Sequence, residues 1–81
     1  MELKDTIDLM ASSDYKDRFK AEYYQVKIRA EKLDKMLQDF YDNKLDFTPT
    51  SPVALLHGQL IDMKKYMSRL ELRAEAEGIK L

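Results

Sequence analysis

The 81-residue chain has no cysteine and no tryptophan, a single histidine, two glycines and two prolines. Without cysteine there is no disulfide to brace so short a chain. A structural zinc site wants several Cys or His ligands, and His57 is the only one of either kind. Small domains bury a modest fraction of their surface and lean on disulfides, metals or partners, so partner burial is the support left over. No apolar run approaches the eighteen or so residues of a membrane span, so no membrane association is expected. Met1-Glu2-Leu3-Lys4-Asp5 lacks the basic-then-apolar opening of a secretory signal, and the expected location is the cytoplasm. Neither sign of charge is in excess, with 14 Lys plus Arg against 15 Asp plus Glu. That balance argues against a duplex nucleic-acid binder, which carries a clear basic excess.

What the chain does have is helical periodicity. The expected fold is all-α: a long antiparallel helical hairpin preceded by a short N-terminal helix, one domain over 1–81 that assembles as a homo-oligomeric bundle. In residues 1–12, Leu3, Ile7 and Met10 would line one face of the short helix. Ser12, Ser13 or Asp14 can cap the next helix, whose first turn is expected to hold the acids Asp14 and Asp17. Over 14–41, Tyr15, Phe19, Tyr23, Val26, Ala30, Leu33, Leu37 and Phe40 recur at three- and four-residue steps, an apolar stripe on a helix.

Residues 42–51 form the connector. Asp42-Asn43 is turn chemistry, Leu45 and Phe47 are expected to fold back onto the hairpin tip, and Pro49 disfavours helix at Thr48. Ser51 reads as an N-cap with Pro52 at the first helical position. Over 52–77, Val53, Leu56, Leu60, Met63, Met67, Leu70 and Ala74 form the second stripe, and Gly78 is placed to end it with Ile79 closing over the last turn. Gly58 inside the helix costs about 1 kcal/mol relative to alanine and leaves room for another backbone. Each long helix spans roughly 40 Å at 1.5 Å per residue. Tyr24, Ile28, Leu55, Ile61 and Leu72 fall off the stripes and need cover from the N-terminal helix or a second subunit, a homo-oligomer interface.

An enzyme is not expected. There is no cysteine nucleophile, no Glu-x-x-His metal motif, no phosphate-binding glycine loop and no dinucleotide fingerprint. His57 follows the core position Leu56 and reads as a solvated flank, and Glu71, Glu75 and Glu77 read as solvation of the last helix. No cofactor or metal is expected.

The charges divide between the two sides of the hairpin. One side gathers Arg18, Gln25, Arg29 and Lys32 from the first long helix, with Glu22 at the inner edge, and Asp62, Tyr66, Arg69 and Arg73 from the second, with Gln59 at the edge, so few acids stand among its cations. The other carries Lys16, Lys20, Lys27 and Lys64 cancelled by Glu31, Asp34, Glu71 and Glu75. Arginine's planar fork suits phosphates and carboxylates. Arg18, Arg29, Gln59, Tyr66, Arg69 and Arg73 are therefore the candidate ligand-binding residues. The competing reading is pairing within the fold: Arg18 with Glu22, Arg73 with Glu77, or Glu22 with Arg73 across the hairpin.

Two segments carry a family resemblance. One is Asp14-Tyr15-Lys16-Asp17-Arg18-Phe19-Lys20-Ala21-Glu22-Tyr23-Tyr24-Gln25, continuing to Ile28-Arg29-Ala30-Glu31-Lys32-Leu33. The other runs from Leu45-Asp46-Phe47-Thr48-Pro49 through Leu55-Leu56 and Gln59-Leu60, past Met63 and Tyr66, to Leu70-Glu71-Leu72-Arg73-Ala74-Glu75-Ala76-Glu77-Gly78-Ile79. Together they resemble a family of small helical proteins from phages and prophages of gut and Gram-positive bacteria, including crAss-like phages. The resemblance implies a phage-encoded accessory protein acting in the host cell cytoplasm. By analogy of size and origin it points to a non-enzymatic, oligomeric anti-defence sponge for an anionic nucleotide-derived immune signal, a cyclic nucleotide or ADP-ribose-type molecule. The alternative is a protein-interaction module that binds and inhibits or regulates a host defence protein.

Overall fold

A computed structural model describes all the residues, Met1–Leu81. It is all-α, with no strand. A 3₁₀ turn, Leu3–Thr6, runs into the four-residue α1, Ile7–Met10; α2 spans Tyr15–Tyr41 and α3 spans Val53–Glu77. The molecule measures 43 × 24 × 17 Å, one hairpin long and three layers deep.

The ends of α2 are set by local hydrogen bonds. Asp14 is the N-cap, its Oδ1 accepting from the Lys16 amide at 3.0 Å. Ser12 shapes the turn before it, accepting from the Asp14 amide at 3.1 Å and donating to Asp17 Oδ2 at 2.8 Å. At the other end Asn43 takes a left-handed φ of 57°. The Asn43 amide then donates to Phe40 at 3.1 Å and the Lys44 amide to Asp39 at 2.8 Å, the paired bonds of a Schellman cap.

The start of α3 lies one residue later than the sequence predicts. Pro52 is the N-cap, not the first helical residue, because its ψ of 138° is extended; its carbonyl accepts from the Leu55 and Leu56 amides at 3.0 and 3.1 Å. Ser51 therefore does not cap the helix. At the far end Gly78 adopts φ 69°, a conformation that costs other residues about 1–2 kcal/mol. The Ile79 amide closes onto Ala74 at 2.8 Å, and the Ile79 side chain is buried.

The hairpin core comes in two patches. Phe19, Tyr23, Leu70, Ala74 and Ile79 form one, at the open end. Ala30, Leu37 and Leu60 form the other, flanked by Leu33, Val53, Leu56 and Met63. Met67 packs against both. The two outermost stripe residues, Tyr15 and Phe40, stay exposed at the two ends of the hairpin. Leu45 folds partly inward at the tip, whereas Phe47 remains in solvent.

The N-terminal segment packs against α2 and not against α3. Its inward face differs from the expected one. The first turn is 3₁₀, with three residues per turn, so Leu3, Thr6 and Leu9 turn toward α2 while Ile7 and Met10 are left exposed. Thr6 is the most enclosed polar residue of the chain. Its hydroxyl donates to the Leu3 carbonyl at 2.7 Å and accepts from Gln25 Nε2 at 2.9 Å. Gln25 lies between the buried Ala21 and Ile28 on one face of α2, so the segment that holds Gln25 covers both. Ile28, expected at a subunit interface, is thus already enclosed within the chain. α2 is the middle layer; α3 is covered on one side only.

Leu70 is fully buried between the helices, so Leu70→Ala should destabilise the fold by about 2–5 kcal/mol. Leu55→Ala, on the open side of α3, should change stability by less than about 0.5 kcal/mol. Thermal or urea melts followed by circular dichroism measure both; equal losses would contradict the layering.

Candidate functional site

The arginine-rich side does not form one surface. Three of its α2 residues hold the N-terminal segment: Arg18 donates to the Ser12 carbonyl at 2.9 Å, Gln25 donates to Thr6, and Lys32 lies 3.9 Å from Glu2. At the open end of the hairpin Arg73 is engaged from three directions. Its guanidinium sits 5.1 Å from the centre of the Phe19 ring, its Nε is 3.4 Å from Glu77 Oε2, and its Nη2 donates to the Tyr15 hydroxyl at 3.2 Å. Tyr15 in turn donates to Glu77 at 2.7 Å. The expected Arg73–Glu77 pair is formed, while Arg18 turns away from Glu22, which makes no ion pair. Arg29, Gln59 and Tyr66 are exposed or half-exposed without an ionic partner, but no concave surface joins them.

Three grooves exist elsewhere. The largest, about 560 Å³, lies on the outer face of α3 and is lined by Ile61, Lys64, Lys65, Ser68, Arg69 and Leu72. A second, about 390 Å³, is an apolar notch at the hairpin tip around Phe40, Tyr41, Leu45 and Phe47. The third, about 270 Å³, is bounded by Met1, Tyr24, Lys27, Ile28 and Glu31. The last contains two expected interface residues, yet Ile28 is buried and Tyr24 is half-buried, edge-on to Tyr23 with ring centres 5.7 Å apart.

The α3 groove brings together residues that the sequence assigned to different roles. Arg69 was expected to bind ligand, and Ile61 and Leu72 to meet a second subunit. Lys64 was placed on the charge-cancelled side, and Lys65 and Ser68 were not singled out. A usable signal was present: at roughly 100° per residue, Lys65, nine positions from both Leu56 and Ala74, lies directly opposite the core. Ile61, Lys65, Ser68 and Leu72 follow it at helical spacing.

Chemically the groove is a cationic floor between apolar walls. Lys64 Nζ is 4.0 Å from Asp34, the outer limit of an ion pair. Lys65 and Arg69 have no acidic partner. Ile61 and Leu72 remain 44% and 64% exposed beside these cations. No group of three or more His, Cys, Asp or Glu side chains is arranged to hold a metal. His57 is exposed. No helix is long and apolar enough to cross a membrane.

Fold and groove together define a small all-α hairpin protein with a basic groove on one side. The family model that matches, over residues 13–76, is Sequestin; the chain belongs to that family. No curated protein and no solved structure was found to match it.

Tyr23 donates a hydrogen bond to Glu71 across the hairpin. Burial, reinforced by that bond, pushes its hydroxyl up to about 12. The bond to Glu77 likewise raises Tyr15 above its ordinary value. A phenol whose folded pKa exceeds its unfolded value contributes stability that is whole below the unfolded value of 10 and is lost as pH rises toward 12. Stability should therefore fall between pH 10 and 12, and Tyr23→Phe should flatten that fall. Melts across this range, with ultraviolet titration of the phenolates, check it; an unchanged slope in the variant would be contrary.

Proposed function

We propose that this protein is a sponge: a non-enzymatic, oligomeric binder that sequesters an anionic, nucleotide-derived immune signal and returns it unchanged. The observation that carries the reading is the α3 groove, where Lys65 and Arg69 stand without acidic partners between Ile61 and Leu72. Membership of the Sequestin family supports a sequestering role by its name. Phosphate oxygens would take the Arg69 fork and the lysine ammonium groups, which form the stronger, charge-assisted bonds. The base or ribose would rest on the apolar walls.

In this reading the ligand residues are Arg69 with Lys64, Lys65 and Ser68, while Arg18 and Arg73 serve the fold. Arg18 and Arg73 already hold protein groups, which leaves them less to offer a ligand. The net charge of −1 gives no long-range attraction for anions. Capture by such a protein rests on contact within the groove and on high copy number. The resemblance to phage and prophage proteins makes a host defence signal, in the host cytoplasm, the fitting target.

Calorimetry against cyclic dinucleotides and ADP-ribose-type molecules should give saturable heat with at least one member, and chromatography should recover that ligand intact. Lys65→Glu and Arg69→Glu should each weaken binding by about tenfold or more, roughly 1.4 kcal/mol. His57→Ala should leave it unchanged. Silence across the panel, or turnover of the ligand, would overturn the reading.

A further inference from the structure

The loop that joins α2 to α3 ends the hairpin in aromatic side chains. Tyr41 and Phe47 remain 59% and 54% exposed, and Phe40 38%. With the half-buried Leu45 they bound the notch of about 390 Å³ at the tip. Single apolar side chains scattered over a surface are ordinary, but several large ones gathered around one concavity mark an interaction site.

The notch is held in shape before any partner arrives. The Asp42, Asn43 and Lys44 amides bond back to the carbonyls of Gln38, Phe40 and Asp39. The Phe40 ring stands edge-on to Tyr41, with ring centres 5.6 Å apart. Little ordering cost therefore remains for a binding event.

The rim of the notch is charged. Along the loop, the lining residues Tyr41, Asn43, Leu45 and Phe47 alternate with Asp42, Lys44 and Asp46. The two acids outnumber the lysine, and none of the three has an ionic partner. Asp39, by contrast, is already held by Lys35 at 3.0 Å.

We infer that the hairpin tip is a docking site for a basic segment of another protein. A large apolar side chain of that segment enters the notch between Phe40, Tyr41, Leu45 and Phe47, while its Lys or Arg residues meet Asp42 and Asp46. Buried aromatics supply most of the affinity in such contacts, and the charged rim sets partner and orientation. The same acids disfavour the competing occupants. A second tip would bring the same net negative charge, and an anionic lipid surface or a nucleic acid would be repelled. The inference goes beyond the sponge reading and does not depend on it, since the notch shares no residue with the α3 groove.

Chemical-shift mapping and fluorescence titration of the full chain test this, using a short lysine–leucine peptide that carries one tryptophan. The same peptide with glutamate in place of lysine is the control. The lysine peptide should bind, with the largest amide shifts across Phe40–Pro49, and the glutamate peptide should not. Phe47→Ser, at an exposed position outside the core, should weaken that binding about tenfold or more. The double variant Asp42→Lys with Asp46→Lys should reverse the preference, toward the glutamate peptide. A silent lysine peptide, shifts that fall elsewhere, or an unchanged affinity in either variant overturns the docking site. Self-association that Phe47→Ser removes would make a second copy the occupant. Flotation with phosphatidylcholine–phosphatidylglycerol vesicles that Phe47→Ser removes would make it a membrane. Either result overturns the inference. Nucleotide heat should be equal in the wild type and Phe47→Ser; its loss in the variant would contradict a separate surface.

Discussion

The hydrogen bond between Thr6 and Gln25 decides which surfaces of this protein are free. A hydroxyl enclosed as fully as that of Thr6 must be satisfied; left unpaired, it would cost about 1–3 kcal/mol. It is satisfied on both counts, giving to Leu3 and taking from Gln25. Because Gln25 lies on the side of α2 that carries Ala21 and Ile28, the bond lays the N-terminal segment across that face. A two-helix hairpin becomes a three-layer stack. α2 then has a neighbour on each side, and the outer face of α3 is the long surface without one.

That arrangement governs the fate of the charges. The segment draws Arg18 to a backbone carbonyl and Lys32 toward Glu2. Arg73 is held over Phe19 by Tyr15 and Glu77. On α3, Lys65 and Arg69 stand without acidic partners in a groove walled by Ile61 and Leu72. A protein close to neutral overall can still bind an anion through such a local surplus. Sequestration asks for no more: no nucleophile, no metal and no proton transfer, only contact strong enough to hold a signal away from its receptor.

Much of the fold was legible because it follows from periodicity and from end chemistry close in sequence. The two stripes place both long helices, Asp14 and Asn43 bound α2, and Gly78 ends α3 in the left-handed conformation that glycine accepts. The misread faces come from packing that the spacing within one helix does not carry. Helical spacing put Ile7 and Met10 inward, but docking onto α2 through a 3₁₀ turn rotated Leu3, Thr6 and Leu9 there instead. Counting angles gathered Arg18, Arg29 and Arg73 onto one flank, yet nothing in those angles says that Ser12 and Phe19 already hold two of them. Lys65 was overlooked for the opposite reason. It lies directly behind the core, where solvation is the ordinary fate of a lysine, and only the groove around it gives that position meaning.

The central claim is that the working face of this protein is the outer side of α3. Amide chemical-shift mapping during titration with the nucleotide that binds tests it most directly. The account predicts that the largest shifts fall within Ile61–Leu72. Shifts concentrated instead on Arg18, Arg29 and Arg73, or around Phe40–Pro49 at the hairpin tip, would contradict it.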